Sequence, residues 1–362
     1  MRWWTGIAIA MLLLLAGCTA STEQKQGGEA QKEVTINGAG ASFPYPLIAK
    51  WSSEYGKLRG VKINYQSIGS GGGIRQTMAK TVDFGASDAP LKEEERSKMP
   101  GILHIPETLG AVVVVYNLPG VEEKLRLSGD VIADIYLGRI TRWNDPRIAE
   151  LNPGVELPDE QIVVVHRSDG SGTTFVFSDY LSAVSQDWER EVGRGKSLSW
   201  PLGLGGKGNE GVSGLVKQNP YSIGYVELAY AVQNRLSYAL IKNRAGRFVE
   251  PSIESVSAAA AGAASSLPRG DESWEGVSIV NAPGEDAYPI SSFSYLLVYR
   301  ELSVIPGMTE AKARALVDFL WWAVHDGQKY APELHYAPLP EEVVRLNEET
   351  IKLITYQGKP LL

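Results

Sequence analysis

The chain is predicted to be an α/β protein built on mostly parallel sheets flanked by helices, and three observations predict it. Short β-branched or apolar runs alternate with helix-period segments along most of the sequence. One of these runs, Val112-Val113-Val114-Val115, is apolar without a break, as suits a strand covered on both faces. The length of 362 residues points to two domains rather than one.

The first residues carry an address rather than a fold. Arg2 precedes the apolar run Ile7 to Ala16, which ends in Leu15-Ala16-Gly17-Cys18. A basic start, an apolar stretch and small residues before a cysteine make a bacterial lipoprotein signal over residues 1–17, with Cys18 as the lipidated residue after cleavage. The run is too short to span a hydrocarbon core, which takes about 20 residues. Residues 18–33 show no apolar periodicity and are expected to form a flexible tether. Cys18 is the only cysteine, so an intrachain disulfide, a cysteine zinc site and an iron–sulfur cluster are all excluded. The address is extracytoplasmic, anchored to a bacterial membrane, where no ATP or nicotinamide pool serves a nucleotide-dependent enzyme.

In the body, strands are expected over Val34–Asn37, Val61–Gln66, Phe84–Ser87, Ala111–Asn117, Ile162–His166, Ile223–Tyr225 and Ser294–Tyr299. Helices are expected over Tyr45–Tyr55, Gly73–Ala79, Thr173–Ser185 and Thr309–His325, the last opening on Thr309 and closing at Gly327. Ser255–Ser266, rich in Ala and Ser, reads as a surface helix. The 38 glycines and 20 prolines favour many tight turns over a helical bundle. With 35 basic against 42 acidic side chains, the net charge of −7 argues against nucleic acid as a partner.

Three Gly/Ser-rich segments stand where a strand hands over to a helix: Gly38 to Phe43, Gly69 to Gly73 and Asp169 to Thr174. Each offers free backbone N–H groups and a hydroxyl at a helix N-terminus, where the dipole adds about half a positive charge. One such turn is an ordinary cap; three suggest convergence on an anion. Arg167 follows an apolar strand, and its guanidinium fork suits a pair of oxyanion oxygens, with Asp169 near enough to hold it. Asp88 ends another short strand, at the sheet edge where α/β ligand sites form. A carboxylate beside an anion is repulsive unless the ligand carries a proton, because an ionised carboxylate only accepts hydrogen bonds. Hydrogen phosphate and dihydrogen phosphate bring that proton, and sulfate at neutral pH does not.

The motifs Gly-Ala-Gly-Ala-Ser-Phe-Pro at 38–44, Gly-Ser-Gly-Gly-Gly at 69–73, Asp-Phe-Gly-Ala-Ser-Asp-Ala-Pro at 83–90 and Asp-Gly-Ser-Gly-Thr at 169–173 resemble the substrate-binding proteins of high-affinity phosphate ABC transporters. Asp134 to Gly138 with Trp143-Asn144-Asp145, Gly203 to Asn209 and Ile223 to Glu227 extend the likeness from about Val34 to the C-terminus. The resemblance implies a two-lobed periplasmic-binding fold of type II, crossed twice by the chain near Glu107–Ala111 and Ala282–Ser291. Lobe I would take 34–108 and 289–362, and lobe II 109–288. It implies phosphate contacts from Ser42, Phe43 (through its backbone N–H), Ser70, Asp88, Arg167, Ser171, Gly172 and Thr173, with Asp169 orienting Arg167. The implied partners are inorganic phosphate, the membrane subunits of an ABC permease and, through lipid on Cys18, the membrane itself; the protein would act as a monomer without cofactor or metal.

Competing readings are weaker. Gly203 to Gly208 fits G-x-G-x-x-G, but Trp200-Pro201-Leu202 is a poor preceding strand, so the segment reads as a structural or permease-facing loop. No G-x-S-x-G surrounds Ser70, Ser171 or Ser213, and His104, His166, His325 and His335 lack metal-ligand spacing. His166 is left outside the site as structural, and Trp321-Trp322 reads as packing. The alternatives are a receptor for another tetrahedral oxyanion, sulfate or molybdate, and, further off, a phosphoester hydrolase.

Overall fold

The computed structural model describes residues 34–362; the signal over 1–17, Cys18 and the rest of the tether lie outside the described residues. Eight strands set the frame: β1 (Thr35–Gly40), β2 (Lys62–Ser67), β3 (Phe84–Ser87), β4 (Ile102–Asn117), β5 (Val163–Arg167), β6 (Leu204–Gly206), β7 (Ser222–Glu227) and β8 (Ser291–Tyr299). They hydrogen-bond in the order β2-β1-β3-β8-β4-β7-β5-β6, and the short Ser237–Tyr238 strand adds a ninth against β4.

The sheet has two halves that share one strand. In the first, β2, β1 and β3 are parallel and β8 runs against β3 and β4, pairing Ser291 to Tyr299 with Ala111 back to Ile102. In the second, β7, β5 and β6 are parallel, and Val112–Asn117 of β4 runs against β7. The chain thus crosses outward along β4 and returns at Ile290–Ser291, where the Val112 N–H donates to the Ile290 carbonyl. Val112 to Val115 are wholly buried, which explains their uninterrupted apolar character.

Helix α1 (Tyr45–Arg59) buries Leu47, Ile48, Trp51 and Tyr55 along one face and stops at Gly60, whose φ of 68° closes the last turn. Helices α2 (Ser70–Met78) and α4 (Gly172–Val184) each begin on a glycine-rich segment; α3 (Glu93–Ser97) follows β3, and α5 (Gly208–Gln218) follows β6. Helices α6 (Ile253–Ala261), α7 (Glu310–Val324) and α8 (Glu341–Ile351) follow along the chain.

Four expectations change. β4 starts nine residues before Ala111; the polar and proline-containing stretch His104 to Thr108 hides a strand from periodicity, and a bulge opposite Ser294/Tyr295 accommodates it. The first glycine segment is not a turn through its length, because β1 runs to Gly40 and Gly38 lies under the Phe84 ring, where no side chain fits. α6 is not a surface helix: Ser255, Val256, Ala259 and Ala260 are buried against β8 and β4, and small side chains allow that approach. α7 is capped by Thr309, which accepts from the Lys312 N–H, but ends at Val324; Gly327 sits beyond it in the 3-10 turn Asp326–Tyr330, and its carbonyl accepts from the Trp51 indole at 2.7 Å.

Candidate anion-binding cleft

The C-terminal ends of β1, β3, β5 and β7 meet where the two half-sheets face each other, the edge at which open α/β sheets bind ligands. From the first half come Ser42 and Phe43 in the turn after β1, Ser70 at the start of α2, and Asp88 directly after β3. From the second come Arg167 at the end of β5, Asp169, and Ser171, Gly172 and Thr173 at the start of α4. Ser42, Phe43, Ser70, Asp88, Arg167, Ser171 and Thr173 are all buried.

Direct hydrogen bonds tie the halves together here. Ser70 Oγ accepts from the Gly172 N–H at 3.0 Å and from the Asp88 N–H at 3.3 Å, and the Gly71 N–H donates to the Gly170 carbonyl at 2.9 Å. A side chain at Gly172 would collide with Ser70 Oγ and Asp88 Oδ2, so glycine is required for this approach. Ser171 caps α4 by accepting from the Thr174 N–H at 3.0 Å. The Phe43 carbonyl accepts from the Tyr336 hydroxyl at 2.6 Å, and its ring lies against Gly110.

Arg167 is fixed on every side. Its backbone N–H donates to the Tyr225 hydroxyl at 3.1 Å, its Nε and Nη2 donate to Asp169 Oδ1 and Oδ2 at 2.8 and 2.6 Å, and its Nη1 reaches Thr173 Oγ1 at 3.3 Å. Asp169 Oδ1 also accepts from the Gly208 N–H at 3.1 Å. Burial works to raise the Asp169 carboxyl, but the Arg167 fork and its positive charge outweigh it and hold the group below the usual carboxylate range.

Asp88 is the opposite case. It is 1% exposed; Oδ1 accepts from the Ser294 hydroxyl at 2.9 Å, and Oδ2 has no partner among the described residues. Burial pushes its carboxyl from 3.8 up to about 7, against the pull of the Ser294 hydrogen bond and the Arg167 charge. The cleft therefore sets a buried acceptor, Asp88 Oδ2, among several donors, an arrangement that suits a ligand that takes hydrogen bonds on most of its oxygens and gives one back.

The sequence reading missed Asn209. The first turn of α5 carries it into the cleft, where its backbone N–H and its Nδ2 donate to Ser42 Oγ at 3.1 and 3.0 Å, Nδ2 reaches Thr173 Oγ1 at 3.2 Å, and Oδ1 accepts from the Glu227 N–H at 3.1 Å. The glycine-rich segment before it is thus part of the cleft wall and not merely a loop facing outward. Its signal was the same as that of the other three segments: glycines, then a polar side chain, at a helix start. Sequence reading also passed over Ser294, which bonds both Asp88 and Glu107, and Glu227, whose N–H donates to the Asn209 that holds Ser42; Glu107, Glu227 and Ser294 are all wholly buried. His166 stacks on Trp200 at 4.7 Å and stays outside the cluster, while Trp322 packs against Tyr55.

The fold and cleft define a two-lobed solute-binding architecture, and a family model for the PBP superfamily domain matches residues 20–324. A phosphate-binding protein PstS of Pasteurella multocida is 50% identical over 343 residues, 93% of each chain, and one of Xylella fastidiosa is 47% identical over 360 residues, 94% of this chain and 95% of its own. Among solved structures, the high-affinity periplasmic phosphate-binding protein PfluDING, bound with phosphate, superposes with a TM-score of 0.68 at 21% identity, covering 91% of this chain and all of its own. The chain belongs to the PBP superfamily and, within it, to the PstS family of phosphate-binding proteins.

Proposed function

We propose that the protein captures inorganic phosphate, as hydrogen or dihydrogen phosphate, in the cleft between its lobes and delivers it to an ABC-type permease. The carrying observation is Asp88 Oδ2, a buried carboxylate oxygen without a donor among the described residues, which lies beside Gly172 and Ser70. A ligand oxygen bearing hydrogen, as on hydrogen or dihydrogen phosphate, satisfies it, whereas the bare oxygens of sulfate do not. Ser42, Ser70, Ser171 and Thr173 supply hydroxyls, Phe43 a backbone N–H and Gly172 another, which exchanges its bond to Ser70 Oγ for one to the ligand, and Arg167 the charge, with Asp169 orienting the guanidinium and Asn209 aligning Ser42 with Thr173. Lobe I comprises 34–108 and 289–362, lobe II 109–288, and their closure completes the shell. The relatives are named as binding proteins, in keeping with a receptor rather than an enzyme.

The protein works outside the cytoplasmic membrane as a monomer, held to a bacterial membrane by lipid on Cys18. Among the described residues no helix is long and apolar enough to cross a membrane. Titration with phosphate, sulfate and molybdate, followed by tryptophan fluorescence and calorimetry, tests the reading. A Kd of about 1 μM or tighter for phosphate, about 8 kcal/mol, with sulfate and molybdate at least about 10³-fold weaker, is expected. Comparable binding of sulfate would overturn it.

A further inference from the structure

One hydroxyl beside the cleft faces two carboxyl groups. Ser294 Oγ lies 2.9 Å from Asp88 Oδ1 and 3.0 Å from Glu107 Oε1, and all three residues are fully or almost fully buried. A serine hydroxyl has one proton to give, so it cannot donate to both oxygens. Were both carboxyls ionised, one of these contacts would be oxygen against oxygen without hydrogen, away from water. One carboxyl of the pair must therefore hold a proton and donate to Ser294.

The backbone is arranged to bring Glu107 there. Across the β4–β8 ladder Ser294 pairs with Thr108 and Tyr295 with Pro106, so Glu107 is the extra residue of a β-bulge, a device that re-aims a side chain. The carbonyls around the bulge are held from the C-terminal segment: Asn347 donates to the Pro106 carbonyl at 2.7 Å, and Gln328 to the Glu107 carbonyl at 3.0 Å.

We infer that Glu107 is a positioning residue that stands protonated and donates to Ser294 Oγ, which commits the serine proton to Asp88 Oδ1 and leaves Asp88 Oδ2 charged toward the cleft as the acceptor of the ligand's proton. Arg167 favours charge on Asp88. Burial, first of all, and then the Asp88 charge favour the neutral form of Glu107, whose carboxyl is pushed up to about 8 despite the Ser294 hydrogen bond. The other ionisable groups facing the pair are Glu227, Tyr65, Tyr295 and Tyr336, each held toward its neutral form by burial.

The functional consequence rests on the phosphate reading, but the proton's position does not, so two measurements separate them. In ligand-free protein at neutral pH, the infrared carboxylic-acid C=O band of wild type is expected to lose intensity in Glu107→Gln. An unchanged band overturns the inference whether or not phosphate binds. For binding, Gln donates to Ser294 as a protonated Glu does, so Glu107→Gln is expected to hold phosphate within about threefold of wild type at pH 7. Glu107→Leu and Ser294→Ala are expected to weaken it by about ten- to a hundredfold, the worth of one hydrogen bond to a charged group. Above pH 8 wild type should lose affinity faster than Glu107→Gln, because ionised Glu107 takes the serine proton and sets a second charge beside Asp88. Parallel pH profiles, or Glu107→Gln as damaging as Glu107→Leu at pH 7, overturn the inference.

Discussion

Two aspartates, one from each half of the cleft, have been given opposite surroundings. Asp169 receives three hydrogen bonds, two of them from Arg167, and is held ionised. Asp88 shares a single hydroxyl, keeps one oxygen without a donor among the described residues and is pushed up to about 7. The difference divides the labour: the second half supplies a fixed, self-neutralising pair with donors to spare, and the first supplies a carboxyl whose charge depends on what stands opposite. An anion is attracted by local donors rather than by net charge, which is how a protein of formal charge −7 can hold one.

Removing the fixed side should have the largest effect. Arg167→Ala is expected to lower phosphate affinity by a few hundredfold to a few thousandfold, since breaking a buried pair costs about 3–5 kcal/mol and leaves the Asp169 charge facing the ligand. Calorimetry checks it; an unchanged Kd would remove Arg167 from the ligand's contacts.

Changing the titrating side should alter selectivity more than affinity. In Asp88→Asn the amide can donate as well as accept, so the preference for phosphate over sulfate should fall by about a hundredfold or more. The same variant tests the pH argument. The folded-state carboxyl is raised from 3.8 to about 7, so its stabilising protonation is complete below about pH 4 and lost as pH rises through 7. Ligand-free wild type should therefore melt lower at pH 8.5 than at pH 5.5, and Asp88→Asn should reduce that drop, a difference on the order of a few kcal/mol. If sulfate rejection and the pH dependence of Tm both stay as in wild type, Asp88 does not play this part.

What the sequence made legible follows from the same contrast. Ser70, Asp88, Arg167 and the Ser171–Thr173 turn stand in short motifs at strand ends, where local chemistry and topology say the same thing. Asn209, Glu107 and Ser294 were hidden because their meaning is non-local: Asn209 lies 167 residues from its partner Ser42, and Ser294 206 from Asp88. Nothing in a polar residue within a strand pattern says that a bulge will aim it inward. Asn209→Ala is expected to cost about ten- to a hundredfold in phosphate affinity, because Ser42 Oγ, Thr173 Oγ1 and the Glu227 N–H each lose a buried partner. An affinity within threefold of wild type would make it a bystander to closure.

The smallest effect should come from the rim, where the halves meet with no part in the anion shell. Lys196 Nζ pairs with Glu95 of α3 at 2.7 Å across the cleft, the two side chains being 14% and 23% exposed, and the Lys196 carbonyl accepts from the Ser171 N–H. Such a partly hydrated pair is worth up to about 1 kcal/mol and is screened by salt. Lys196→Met keeps the aliphatic stem and removes the charge, so phosphate release, followed by stopped-flow tryptophan fluorescence, should quicken by no more than about fivefold. The gap from wild type should narrow as salt is raised, with the sulfate ratio unchanged. A hundredfold change, or one that alters sulfate rejection, would place Lys196 with Arg167 among the groups that hold the anion and erase the distinction between shell and latch.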